Sequence, residues 1–446
     1  MSDLLAARSQ MAMSLAFHII FAAVGIGMPL LMVVAEGLWL RTRDETYLTL
    51  AKRWAKGTAI LFAVGAVSGT VLSFELGLLW PGFMRFAGPI IGMPFSLEGF
   101  AFFTEAIFLG VYLYGWKRVS PRVHWLAGAL TAISGAISGV FVVMANAWMN
   151  TPTGFRMQGG QPADIDPVAA MFNPSWFQQT LHMTIAAYLA TAAAVAGIHA
   201  FMLLRHPADR FHRRALGIAL WVLAISAVLQ PISGDHSAKV VAKTQPAKLA
   251  ALEGQFRTER GAPLRIGGLP DPASETTRYA LEIPRGLSFL AHGDFDAEVV
   301  GLDQFKPEDR PNPVVVHLAF QVMVAAGMAL MGLGLLCALL AWRRRGLPRQ
   351  RWLLWLIVLG GPLGFVAIEA GWVVTEVGRQ PWVIYGLVRT ADAVTPMPGL
   401  AVTFTTFTIL YLFLAAVVAW LMWTQIINAP HAEGHGQHEE AGHAIA

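Results

Sequence analysis

Cysteine is nearly absent from this chain: one residue, Cys337, in 446, and it sits inside an apolar run. That scarcity excludes disulfides, a thiolate cluster and a covalently attached c-type haem, each of which needs more than one cysteine. Charge is scarce too. Charged residues make up 13% of the chain, where a soluble domain carries about 25%. With 55% hydrophobic residues and a mean hydropathy of +0.53, a soluble globular protein is excluded. The N-terminus, MSDLLAARSQ, lacks the basic-then-apolar pattern of a cleaved signal, so the first apolar span directs insertion. No repeat at a solenoid period is evident. The formal charge of +4 says little by itself, and no nucleic-acid partner is expected. The expected surroundings are the lipid bilayer.

What the chain does have is long apolar stretches. Nine are long enough to cross about 30 Å of hydrocarbon. They run at about 11–40, 57–80, 94–116, 124–149, 174–204, 214–234, 313–342, 352–376 and 398–425. An open strand cannot satisfy its backbone in lipid, so these are helices. The fold class is therefore all-α, a polytopic membrane bundle. Basic residues set its orientation. The short loops after spans 1, 3, 5 and 7 hold seventeen lysines and arginines, from Arg41 to Arg351. The opposite short loops hold four, Arg85, Arg156, Arg379 and Arg389. The N-terminus is expected outside and the C-terminus in the cytoplasm.

The chain divides into spans 1–6 over 1–234, an outer loop over 235–312, spans 7–9 over 313–428, and a tail over 429–446. Loops as long as the outer one are usually functional. It is expected to fold as a lid on the bundle. The tail carries His431, His435, His438 and His443 in low-complexity sequence and is expected to be disordered.

Some polar residues lie deep in the spans. A carboxylate at mid-bilayer costs roughly 2.5–3.5 kcal/mol, yet SLEGFAFFTEAIFLG, residues 96–110, carries Glu98 and Glu105. Seven residues apart, they share one helix face, about 10 Å apart along the axis. At 1.5 Å per residue, His18, Glu98, Glu105, His182, Met323 and Glu369 all fall in the outer half of the bilayer, on five different helices. No comparable cluster is expected in the inner half, and Glu75 is read as interfacial. Each residue has a plain packing reading; the shared depth favours a common site. Histidine and methionine are axial ligands of low-spin haem, and a single histidine or carboxylate suits a high-spin one. Zinc or a dimetal centre is a weaker reading, because no E-x-x-H or H-E-x-x-H occurs in the spans. Deep glutamates also suit a proton relay, so a proton-coupled transporter is the alternative from another class.

The motifs decide further. AIEAGWVVTEVGRQPW at 367–382 contains GRQPW, a specific signature. It is joined by Arg8 ten residues before His18, LEGFAFF at 97–103, VMANAWMNTP at 143–152 and FQVMVAAG at 320–327. The loop stretch GDHSAKVVAKTQPAKLAALE occupies 234–253. Together these resemble subunit I of the cytochrome bd quinol oxidases, over essentially all nine spans.

The resemblance implies three haems near the outer face: a low-spin haem b, a high-spin haem b, and haem d or a further haem b in its place. His182 and Met323 would ligate the low-spin haem. His18 and Glu369 would each serve one high-spin haem, with Glu98 close by and Glu105 on a proton route. Lys248 and Glu253 match loop residues of quinol oxidation, although the residues alone would read that loop helix as a solvated amphipathic face. Arg379, Gln380 and Trp382 of GRQPW would anchor haem propionates or the loop. Quinol and O2 are the implied substrates. A membrane-embedded subunit II is the implied partner, with a small single-span accessory subunit a further one, in the bacterial cytoplasmic membrane. Departures from some members are Gln321 where they have arginine, Phe365 where they have tryptophan, a Glu98–Glu105 spacing shorter by one, and a short loop. The paired histidines of a bc-type cytochrome b are absent: His182 and His199 share a span but lie seventeen apart.

Overall fold

The computed structural model describes residues 1–427 apart from Arg345 and Pro348. The histidines of the tail lie outside the described residues. Fourteen helices appear among those described: α1 (Asp3–Thr42), α2 (Glu45–Leu79), α3 (Pro81–Tyr114), α4 (Pro121–Asn150), α5 (Pro167–Met171), α6 (Trp176–Arg205) and α7 (Arg210–Thr244). Then follow α8 (Pro246–Glu253), α9 (Gly286–His292), α10 (Pro313–Arg344), α11 (Arg351–Gly360), α12 (Leu363–Val377), α13 (Thr390–Ala393) and α14 (Leu400–Met422). Nine spans among the described residues are long and apolar enough to cross a membrane, with α11 and α12 forming one of them. The break in that span falls at Gly361–Pro362, where proline removes a backbone donor.

Several helices outrun the apolar stretches that announce them. α1 begins at Asp3 rather than near 11, because Ser2 caps it and the leading turns, of mixed polarity, hold no breaker. α2 begins at Glu45 behind the Asp44 cap, and α3 at Pro81. α7 runs through Thr244, ten residues past the expected end, since no proline falls between 235 and 245 and Lys239 pairs with Asp235 one turn back.

The two ends of the bundle differ. At one, Arg210 and Arg214 of α7 bind Asp44 at the α1–α2 turn, with Nη2–Oδ2 distances of 2.8 and 3.5 Å. At the other, Leu400 N donates to Asp3 Oδ1 (2.9 Å) and Tyr385 N to Met149 O (2.9 Å), while Arg389 pairs with Asp309. The odd-numbered turns therefore share one end, and the long loop, the N-terminus and GRQPW share the other. The basic-residue pattern requires that grouping.

The long loop is built from α8, α9 and three short antiparallel pairings, Glu259–Arg260 with Glu298–Val299, Leu264–Ile266 with Leu281–Ile283, and Leu269–Asp271 with Thr276–Arg278. Leu249, Leu252, Phe256, Leu287, Val299 and Leu302 form its apolar core, which continues into Val316 of α10 and Val374 of α12. The loop is thus fixed to the bundle by burial. Within the bundle, backbones approach where side chains are smallest, as membrane helix packing favours. A Cβ on Gly364 of α12 would lie 2.3 Å from Ala190 Cα of α6. That contact sets α12, and Glu369 on it, against the helix that carries His182.

Candidate functional site

Each of the two deep histidines meets a serine from the next helix. His18 Nδ1 lies 2.9 Å from Ser68 Oγ of α2. Ser68 Oγ donates to the carbonyls of Val64 (2.9 Å) and Gly65 (3.1 Å). Its hydrogen is spent there, so it accepts from His18 Nδ1–H, which leaves the lone pair on Nε2. His182 Nδ1 lies 2.9 Å from Ser233 Oγ of α7, and Ser233 Oγ donates to Gln230 O at 2.8 Å. The same tautomer follows. Holding Nδ1–H in this way is how proteins orient an imidazole for metal ligation through Nε2. A glycine follows each serine and makes room for the ring. A Cβ on Gly69 would lie 3.0 Å from His18 Cε1, and one on Gly234 3.5 Å from His182 Cε1. Gln230 Nε2 lies 3.0 Å from His182 Nε2, so iron there requires that amide to turn aside.

Met323 of α10 faces α12, where a Cβ on Gly371 would lie 3.1 Å from its sulfur. Two residues from Gly371, Glu369 keeps Oε1 buried without a hydrogen-bond partner. A buried unpaired carboxyl oxygen is costly and fits a ligand to iron. Just inward, Ile26, Ala187, Met183, Phe365 and Ile368 pack together, so the helices of His18, His182 and Glu369 converge. Phe365 fills part of that apolar cluster.

Glu98 and Glu105 both face α4. Ser138 Oγ donates to Glu98 Oε1 at 3.2 Å, and a Cβ on Gly135 would lie 2.9 Å from Glu105 Oε1. Glu105 is buried. Glu75, expected at the interface, is also buried: Gln10 Nε2 (2.8 Å) and Ser14 Oγ (2.9 Å) donate to it. α1 extends far enough outward to cover it.

GRQPW closes the outer end. Arg379 is 1% exposed and binds Glu376, and its Nε and Nη1 are buried without acceptors. Two unspent guanidinium donors in a buried site suit a carboxylate such as a haem propionate. Gln380 accepts from Thr390 Oγ1 (2.8 Å). The Gln380–Pro381 peptide is cis. Trp382 is half-buried under the Arg389 guanidinium (4.7 Å), and Arg8 is exposed on α1.

The loop helix corrects the expectation of a solvated face. Every residue from Ala247 to Glu253 is buried. Lys248 Nζ donates to Asn150 Oδ1 at 2.6 Å, and its stem packs on Gly378. Burial and the nearby Arg379 charge hold its pKa well below the usual lysine value. Burial pushes Glu253 up to about 7, partly offset by Arg265, and its Oε2 has no hydrogen-bond partner. Gln321 stitches the loop to α10: Gly267 N donates to its Oε1 (2.8 Å), and its Nε2 donates to Arg265 O (3.2 Å).

Several of these neighbours escaped sequence reasoning. Asn146 Nδ2 donates to Glu376 Oε1 at 2.6 Å and Asn150 Nδ2 to Asn146 O at 3.0 Å, joining α4, α12 and Lys248 in one network. VMANAWMNTP and TEVGRQPW were the available signals. Ser68–Gly69 and Ser233–Gly234 form a recurring dipeptide whose role needs the packing to be seen. The inner half, where no comparable cluster is expected, holds two buried polar pairs. Glu36 and His124 pair there at 2.8 Å, as do His199 and His212 through their Nδ1 atoms at 2.8 Å.

A family model described as "Cytochrome bd terminal oxidase subunit I" matches residues 6–430. A Bacillus subtilis (strain 168) protein provisionally named cytochrome bd menaquinol oxidase subunit I is 40% identical over 95% of this chain and 96% of its own. The cytochrome bd ubiquinol oxidase subunit 1 of the same organism is 31% identical over 98% of this chain and 96% of its own. The solved bd oxidase of Geobacillus thermodenitrificans superposes with a TM-score of 0.91 at 38% identity, covering 96% of this chain and 99% of that one.

Proposed function

Because this chain belongs to the cytochrome bd terminal oxidase subunit I family, it is the haem-bearing subunit of a quinol:oxygen oxidoreductase of the bacterial cytoplasmic membrane, and we propose a role for each of its site residues. The membership also decides against the transporter alternative. His182 and Met323 hold a low-spin haem b. His18 and Glu369 each serve one of two high-spin haems, one of b type and the other haem d or a further haem b. When bound, haem carries the electrons and binds the oxygen that they reduce.

The rest of the chemistry falls to the chain's own groups. Ser68 and Ser233 fix the imidazole tautomers. Arg379, tied down by Glu376, offers its free donors to propionate. Quinol docks at α8 on the outer face, where it gives up two electrons and two protons. The Glu253 carboxylate takes the two hydroxyl protons one at a time and returns each to outer water before the next; Lys248, anchored on Asn150, positions the ring. Glu105 passes protons from the cytoplasmic side to Glu98, beside the high-spin pair. Protons leave outside and are consumed from inside, so charge is separated without a pump. The N-terminus lies outside and the C-terminus inside. A membrane-embedded subunit II completes the enzyme, with a small single-span subunit as a further component.

The observation that carries this reading is the pair of histidines with Nδ1 committed to serine and Nε2 left as a lone pair. Its test is a reduced-minus-oxidised spectrum with pigment extraction. Three haems per chain are expected, and the extract separates haem d from an all-b enzyme. A purified holoenzyme without haem absorbance overturns the reading.

A further inference from the structure

The scheme above leaves unused a buried carboxyl at the arginine-rich end of the bundle. Glu36 of α1 is 0% exposed and His124 of α4 is 2% exposed. His124 Nδ1 lies 2.8 Å from Glu36 Oε1, and its Nε2 lies 2.8 Å from the carbonyl oxygen of Tyr112. A carbonyl only accepts, so Nε2 carries a hydrogen. The Nδ1–Oε1 contact then holds one more proton, on either side. Acid with neutral imidazole and carboxylate with imidazolium are both net neutral, and they interconvert without movement of a heavy atom. A buried relay needs that property, because an unbalanced charge in an apolar interior is costly.

Two further observations point the same way. The Tyr112 side chain of α3 also bears on the Glu36 carboxyl, so a third polar group meets the pair from the face that carries Glu105. The position is the second. Tyr112 follows Glu105 by seven residues, as Glu105 follows Glu98, so all three share one face of α3. α4 meets them in order: Ser138 at Glu98, Gly135 at Glu105, and Gly128 and then His124 at Tyr112. Thr131, 0% exposed, lies on α4 between the last two stations. Lys52 is a charge close to the pair: its Nζ lies 5.3 Å from the centre of the Trp116 ring, and that ring lies tilted over His124 at 3.8 Å.

Resting on the oxidase reading, we propose that the Glu36–His124 pair takes up protons on the arginine-rich side and delivers them to Glu105 along the α3–α4 seam. A proton from solvent joins the neutral pair, giving a protonated acid beside imidazolium. The pair returns to neutrality by releasing one proton toward Glu105, by way of Thr131 Oγ1 and water. No electron moves in this step.

The test uses the complete oxidase with its partner subunit, comparing Glu36→Gln, Glu36→Asp and His124→Gln with the wild type. Anaerobic reduction of the haems by quinol should be unchanged. Quinol-driven oxygen consumption should fall by about tenfold or more in Glu36→Gln and His124→Gln, with an increased D2O effect on the rate, since a lost proton-transfer group costs at least that much. Glu36→Asp, which keeps the acid, should recover most of the rate. Wild-type rate and isotope effect in Glu36→Gln overturn the proposal. Should Glu36→Gln fail to assemble, Thr131→Val decides: a raised isotope effect supports the seam, and an unchanged one overturns it. A wild-type enzyme lacking haem or quinol-driven oxygen consumption refutes the oxidase reading itself, separately from these variants.

Discussion

His18 and His182 stand on different helices, yet each ring is held by one device used twice. A serine of the next helix takes Nδ1–H, spends its own hydrogen on a carbonyl of its own helix, and is followed by a glycine that clears the ring. The two copies then diverge. At His182 a Cβ on the glycine would stay at ordinary contact distance, 3.5 Å, and Gln230 lies against Nε2 at 3.0 Å. At His18 a Cβ on the glycine would come within 3.0 Å of the ring. The α7 glycine thus leaves the His182 ring more room than the α2 glycine leaves His18.

The largest effect should come from removing ligands. In His182→Ala or Met323→Leu, the low-spin b band should vanish from the reduced-minus-oxidised spectrum. In His18→Ala that band should persist while a high-spin component is lost. A low-spin band surviving in His182→Ala would reverse the assignment of the two sites.

The comparison is sharpened by a variant that should touch neither histidine. Glu253→Ala should slow quinol oxidation by about 100-fold, the lower end of general-base contributions, while both haem signals and oxygen reduction from an artificial donor persist. Equal loss with both donors would argue against the quinol role. The wild-type quinol rate should rise with pH through about 7, where Glu253 ionises, and Glu253→Gln should lose that step. Stability has the opposite sign. Burial raises this pKa from 4.5 to about 7, so between those values the folded loop holds a proton that the unfolded loop has released. Docking of α8 is therefore strongest below 4.5, weakens as pH rises to about 7, and is flat beyond. Amide exchange of 246–253, corrected for intrinsic rates, measures this.

Ser68→Ala and Ser233→Ala test whether the device is the same in both places. Loss of such a supporting hydrogen bond typically costs 10–100-fold in affinity for the bound metal. Each variant should lose its own haem on detergent dilution and keep the other. Loss confined to one serine would show that the resemblance of the two settings is only geometric.

Much of this was legible in the sequence, for definite reasons. Apolar runs reveal spans because backbone in lipid leaves no other choice. Glu105 and Glu369 stand out because a deep carboxylate needs a cause, and GRQPW is specific. What stayed hidden depends on contacts between distant segments. Glu36 and His124 lie 88 residues apart, each near a span end, where a lone polar residue is unremarkable. α8 looks amphipathic in isolation; it is buried because α10 and α12, more than sixty residues on, supply the missing wall. The outward extensions of α1 and α7 carry too few apolar residues to read as membrane helix, so Glu75 passed for an interfacial residue.

The smallest expected effect separates the two histidine sites most cleanly, because it changes one methyl group at equivalent positions. In Gly69→Ala the new Cβ meets His18 Cε1 at 3.0 Å, closer than carbon atoms settle, so the ring or α2 must give way by a few tenths of an ångström. The ring is tethered at Nδ1, so it tilts about that bond and carries Nε2 with it. The high-spin spectrum should shift while the low-spin band stays put. In Gly234→Ala the new Cβ meets His182 Cε1 at 3.5 Å, ordinary van der Waals contact, and both spectra should match the wild type. Alanine costs nothing in helix propensity at either position, so a folding defect is not expected to mask the result. Equal shifts in both variants would mean that the rings are equally confined.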